Sequence, residues 1–136
     1  MKHVYRFTLA IALAAAAIAQ SQPKATTKGT TSMKRLTLQT TIQEGKDRQV
    51  DILFEGPSRK LIQITLRNGA ILASHTAPVP ITIQGIAGKG TLFVGNEREA
   101  VALEPGALVT LEPNVVHEIQ ASPAVSILLT QFTGSM

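Results

Sequence analysis

Two-residue alternation of apolar and polar side chains is the feature that most restricts what this chain can become. In residues 60–67 (KLIQITLR), Ile62, Ile64 and Leu66 share one side while Gln63, Thr65 and Arg67 share the other. In residues 115–120, Val115, His117 and Ile119 alternate with Val116, Glu118 and Gln120. A helix repeats its apolar face every three to four residues and a strand every two, so these windows are half-buried strands. Similar short runs cover 36–42, 49–55, 70–75, 80–87, 91–94, 98–103, 107–111 and 125–132. Turn signals separate them: Gly56-Pro57, Asn68-Gly69, Gly88-Lys89-Gly90, Gly95-Asn96, Pro105-Gly106 and Pro113-Asn114. Gly95-Asn96 between two runs predicts a tight hairpin. About ten strands at this spacing predict an all-β, antiparallel sandwich or barrel. Past residue 19 the only phenylalanines are Phe54, Phe93 and Phe132, so the core is expected to be aliphatic.

The first 19 residues follow a different rule. Lys2 and Arg6 precede an apolar run from Phe7 to Ile18 broken only by Thr8, and Ala17-Ile18-Ala19 supplies the small-x-small cleavage pattern. That is the layout of a signal peptide. The run falls short of the roughly 18 apolar residues that a membrane span wants. Export to a periplasm or out of the cell is expected, with no membrane attachment after cleavage. Residues 20–35 are rich in Thr and Lys without apolar period, which predicts a flexible leader. Residues 36–136 then form one domain, long enough for a single core.

Lys2 and Arg6 leave with the signal segment, so the excess of basic over acidic residues falls from four to two. That charge, scattered along the chain, excludes a nucleic-acid footprint. The absence of cysteine excludes disulfides, thiol chemistry and cysteine metal sites. Gly85, Gly88 and Gly90 lack the spacing and following helix of a phosphate loop and are expected to serve turns. Ser74 neighbours His75, but adjacent strand residues face opposite ways. Arg59-Lys60 reads as a solvated basic pair at a strand start. Glu97, Glu99 and Glu104 lie in or near an exposed hairpin, so paired carboxylates for acid–base work are missing.

Residues 66–132 resemble a small single-domain cupin. The first cupin motif runs from a glycine through two histidines and a glutamate to a second glycine. Here Gly69, His75 and Gly88 stand at the matching spacing, with Ala77 at the second histidine and Ile81 at the glutamate. In the second motif Gly106 and His117 match, Pro113 lies one position late, and Ala121 replaces the final asparagine. The resemblance implies a cupin-type β-barrel or jelly roll. It also implies that His75 and His117 meet at the barrel mouth in ligand positions, and that the chain dimerises through a sheet face. The run 125–132 is apolar on both parities, so a homodimer is the expected cover for one of its faces.

Three readings of His75 and His117 remain open. One is a weakly held divalent metal, because the set is incomplete at Ala77 and Ile81. Gln84 and Glu118 alternate outward, and Glu112 lies across a turn where alternation says nothing. The second is a metal-free pocket, in which desolvated neutral imidazoles offer donors and acceptors to a small molecule. The third is a pair of hydrogen-bonded core residues. Alternation puts His117 inward beside Val115 and Ile119, and gives His75 the same-face neighbours Ile71 and Ala73. The expected function is therefore binding of a small, partly apolar molecule in the barrel, without cofactor or catalysis. The alternative is a dioxygenase-like or isomerase-like enzyme with a two-histidine metal site.

Overall fold

A computed structural model describes residues 32–134. The signal segment, and residues 20–31 of the expected leader, lie outside the described residues. Seven antiparallel strands follow in chain order: β1 (Arg48–Glu55), β2 (Lys60–Leu66), β3 (Ile71–His75), β4 (Ile81–Val94), β5 (Glu99–Leu103), β6 (Leu108–Leu111) and β7 (His117–Gln131). β4 and β7 pair along almost their whole length, from Ile81 opposite Gln131 to Val94 opposite His117. Each lends its other edge to two shorter strands. β7 takes β2 along 125–131 and β3 near its start, and β1 joins β2. β4 takes β6 at its start and β5 at its end. The halves thus form two layers, β1-β2-β7-β4-β6 and β3-β7-β4-β5, continuous through β4 and β7. Ile62, Ile64, Ile83 and Ile127 of the first layer share one buried cluster with Leu92, Leu103 and Ile119 of the second. The long pair therefore folds over on itself, which makes a sandwich-like barrel.

The expected runs merge where the sequence suggested turns. Residues 80–87 and 91–94 are one strand, and Gly88-Lys89-Gly90 is its bend rather than a loop. The β4–β7 register slips between Gly85 and Ala87 and again between Gly88 and Gly90. Bulges of this kind bend a strand and increase its twist. Gly88 has φ 72°, and a Cβ there would collide with the Ala124 carbonyl oxygen, so glycine is required by close packing of backbone. The runs 115–120 and 125–132 likewise join into β7. The intervening Ser122-Pro123 lies beside the slip, where Pro123 needs no N–H for the ladder. The Pro123 carbonyl instead accepts the Gly69 N–H at 2.8 Å. The turn after β4 spans four residues, 95–98, rather than the two expected; Arg98 N–H donates to the Gly95 carbonyl at 3.1 Å.

The run 36–42 is not a strand. At Gln39 its backbone is satisfied by a side chain: the Gln63 amide accepts the Gln39 N–H at 3.0 Å and donates to the Gln39 carbonyl at 2.8 Å. Gln63 and Thr65 point away from the core, as their alternation predicts, yet both are buried. Gln63 also donates to Ser126 Oγ (2.8 Å), which shares a hydrogen bond with Thr65 Oγ1 at 3.1 Å. The outer side of β7 at Ser126 is thus covered from within the same chain, while Val125 and Ile127 fill the core. Further along the same outer side Leu128 is only half-buried and Phe132 is exposed.

Substituting Gln63→Leu strands the Gln39 backbone groups and Ser126. It is expected to cost about 1–3 kcal/mol and to speed hydrogen exchange of the Gln39 amide. Gln84→Leu, at an exposed position of β4, should stay within about 0.5 kcal/mol of the parent when both variants are unfolded in urea.

Candidate functional site

The two histidines are brought together by a defect in the pairing of β3 with β7. Leu72 stands opposite Ile119 and His75 opposite His117, so three steps along β3 match two along β7. Without this bulge Ser74 would oppose His117. The extra residue moves His75 onto the side of Leu72 and corrects the reading that grouped it with Ile71 and Ala73. Ile71 and Ala73 are exposed, whereas Leu72 packs against the core. The imidazole centroids lie 4.4 Å apart with planes tilted by 59°.

Their environments differ. His117 is 4% exposed and enters the core layer with Ile119, as alternation predicts. His75 is exposed, which corrects the expectation of two desolvated rings. Burial lowers the His117 pKa below the ordinary imidazole value; a hydrogen bond to the Val115 carbonyl opposes this, and proximity to His75 adds to it. Nδ1 of His75 lies 2.7 Å from the Ala73 carbonyl oxygen and Nδ1 of His117 lies 2.9 Å from that of Val115. A carbonyl only accepts, so each Nδ1 carries the proton. In the neutral form each ring then presents Nε2 as an acceptor or ligand atom.

The remaining candidate ligands do not join them. Ile81 is packed in the core and Ala77 lies against it. Gln84 and Glu112 are exposed. Glu118 turns outward to Arg98, with oxygens 2.8 and 3.4 Å from the guanidinium, and that bond holds its carboxyl below the usual range. Arg98 in turn covers the Phe93 ring at 4.3 Å. Among the described residues no group of three or more His, Cys, Asp or Glu could hold a metal ion. Two imidazoles fall short of the three protein ligands of a metal site that keeps an open position. The donor set therefore does not fit the metal centre that the fold class can carry.

Aliphatic side chains fill the space between the layers, so a molecule meeting both imidazoles would do so at the rim rather than deep in the barrel. Sequence reasoning missed a neighbouring concavity of about 670 Å³, lined by Pro78, Val79, Pro80, Glu112, Pro113 and Phe132. Its walls come from the loops that lead from β3 to β4 and from β6 to β7, tied together by the Asn114 N–H on the Ala77 carbonyl at 2.7 Å, and from Ser58 and the segment after β7. The proline cluster of 78–80 and Pro113 was its sequence signal. Neither histidine lines it.

Comparison with known proteins bears on the fold. No protein-family model matches the chain, and no curated protein matches it. Among solved structures, an RmlC-like cupin protein from Desulfovibrio desulfuricans superposes with a TM-score of 0.66 at 19% identity, over 76% of this chain and 100% of that one. An RmlC-like cupin family protein with a double-stranded β-helix fold from Methanocaldococcus jannaschii gives 0.61 at 19%, over 76% and 93%. A variant of salicylate 1,2-dioxygenase from Pseudoaminobacter salicylatoxidans, in complex with gentisate, gives 0.52 at 20% over 56% of this chain and 20% of its own. The chain therefore has the cupin fold, as its motifs implied.

Because the folded state holds His117 with a lowered pKa, the unfolded state binds more protons between the two values. Stability should be complete above the ordinary imidazole pKa of about 6.5, fall as pH drops from there toward the folded value, and level off below it. His117→Gln should abolish that slope in chemical denaturation followed against pH. An unchanged slope in the variant would remove His117 as its source.

Proposed function

We propose that this protein is an exported, non-catalytic cupin that binds a small, partly apolar molecule at the His75/His117 rim, as a periplasmic or secreted carrier or sensor. The observation that carries the reading is the pair of backbone-anchored Nδ1 atoms, which leaves two Nε2 acceptors on rings 4.4 Å apart. Such a pair suits a ligand whose polar end supplies hydrogen-bond donors, as an amine, amide or diol does. Leu72, Val94 and Val115, half-buried against the core, offer apolar surface for the remainder. Export rests on the signal-like residues 1–19. The competing reading is a metal-dependent enzyme with a two-histidine site. It draws on the same anchoring, since metal-ligating histidines also donate their other ring N–H to a carbonyl.

Native mass spectrometry of untagged protein, for metal and co-purifying small molecules together, separates the two. The binding reading expects a small molecule without stoichiometric metal, and its loss from a folded His75→Ala/His117→Ala variant. Stoichiometric iron, manganese, zinc or nickel would favour the enzyme. Undiminished ligand retention in the double variant would take these residues out of the site.

A further inference from the structure

Residues 36–47 form no strand, yet they are clamped over the outer side of β1 and β2 at two points. At one end the Gln63 amide holds the N–H and the carbonyl of Gln39. At the other the Arg67 guanidinium donates from Nε to the Gln43 carbonyl at 2.6 Å and from Nη1 to the Lys46 carbonyl at 2.7 Å. Gly45 crosses over that guanidinium, where a Cβ would collide with Nη1 and Cζ. Between the clamps, among the described residues, lies a cavity of about 310 Å³. Thr41 and Ile42 line it from the clamped segment, and Gln49, Asp51 and Thr65 line it from the sheet. Neither histidine touches it.

The sheet side of this cavity holds unspent hydrogen-bonding capacity. Gln63 donates to Ser126 Oγ, so Ser126 accepts there, and among the described residues its own proton has only Thr65 Oγ1 to go to. Thr65 therefore accepts from Ser126, and its own O–H is left for the cavity although the residue is 6% exposed. A donor buried to that degree normally has a partner. Gln49 stands directly opposite Thr65, and Asp51 opposite Gln63. Gln49 Nε2 donates to Asp51 Oδ2 at 2.9 Å, which leaves Gln49 Oε1 and Asp51 Oδ1 as adjacent acceptors. Across from them Thr41 Oγ1 accepts from Gln43 Nε2 at 2.9 Å, so the Thr41 proton is also free to donate.

We infer that this cavity is a second binding site, separate from the histidine rim, for a small neutral molecule carrying vicinal hydroxyls, of the monosaccharide or cyclitol kind. Each hydroxyl both donates and accepts. Adjacent hydroxyls on one ring therefore satisfy the Asp51 and Gln49 oxygens and take the Thr65 and Thr41 protons together. Its volume lies at the lower end of the range for small-molecule sites. Charged ligands match it less closely. Asp51 and Glu44 share the lining with Arg67, and two of the Arg67 donor nitrogens are already spent on backbone carbonyls. An apolar ligand would meet only Ile42 and Leu53 and would strand the buried Thr65 proton.

Titration of isotope-labelled protein with D-glucose and with myo-inositol, followed through amide shifts, tests the assignment. Saturable shifts are expected in 37–43, 49–51 and 63–67. For about twelve heavy atoms at ordinary ligand efficiency the dissociation constant should be on the order of 1 mM. Cyclohexanol, which keeps a six-membered ring and one hydroxyl, should leave these amides unmoved. Asp51→Ala should weaken binding roughly tenfold or more, because it removes a charged acceptor, and Thr41→Val should weaken it less, both with the circular dichroism of the parent. The His75→Ala/His117→Ala variant should bind both polyols as the parent does, which keeps this site apart from the rim. No saturable response to either polyol would overturn the proposal. So would an equal response to L-lysine, undiminished binding in Asp51→Ala or Thr41→Val, or shifts centred on residues 75 and 117.

Discussion

Everything in this fold is organised by the ladder between β4 and β7. Because the two strands run beside each other for nearly their full length and then double over, each contributes to both layers. Neither layer could form alone: the second holds Leu92, Leu103 and Ile119, and these pack against Ile62, Ile83 and Ile127 of the first. The bend needs residues that tolerate backbone approaching backbone, which Gly88 and Gly90 supply. It also needs a break in the ladder, which Ser122-Pro123 accommodates. The same doubling brings the start of β7, with His117, to the end of the barrel where β3 delivers His75.

The chemistry of that end depends on a smaller irregularity. One additional residue in β3 decides whether His117 faces a serine or a histidine. The resulting pair is asymmetric, with one ring largely buried and the other open to water. Backbone carbonyls fix the same tautomer in both. Such a pair has lone pairs to offer and no carboxylate beside it: Glu118 is held on the outside by Arg98, and Ile81 belongs to the core. Hydrogen-bond acceptance at a rim is the chemistry that the proposed function asks of these residues.

Much of the architecture could be read from alternation alone. β2 carries Ile62, Ile64 and Leu66 on one side and Gln63 and Thr65 on the other, and the structure keeps that division. The inward position of His117 followed from Val115 and Ile119 in the same way. Three features were hidden for physical reasons. Glycine has the same local signature in a turn and in a close-packed bend, so Gly88-Lys89-Gly90 looked like a loop between two strands. Gln63 looked solvated because nothing local reveals that Gln39 will lie over it. A bulge reverses parity without leaving a composition mark, which is why His75 was grouped with Ile71 and Ala73.

The central claim is that His75 and His117 are both held with the proton on Nδ1, leaving two Nε2 lone pairs for one ligand. Long-range proton–nitrogen correlation spectra of the two neutral imidazoles, recorded in mildly alkaline buffer, read this directly. The account predicts a protonated Nδ1 and a bare Nε2 in both rings. A proton on Nε2 of either ring in the free protein would contradict it.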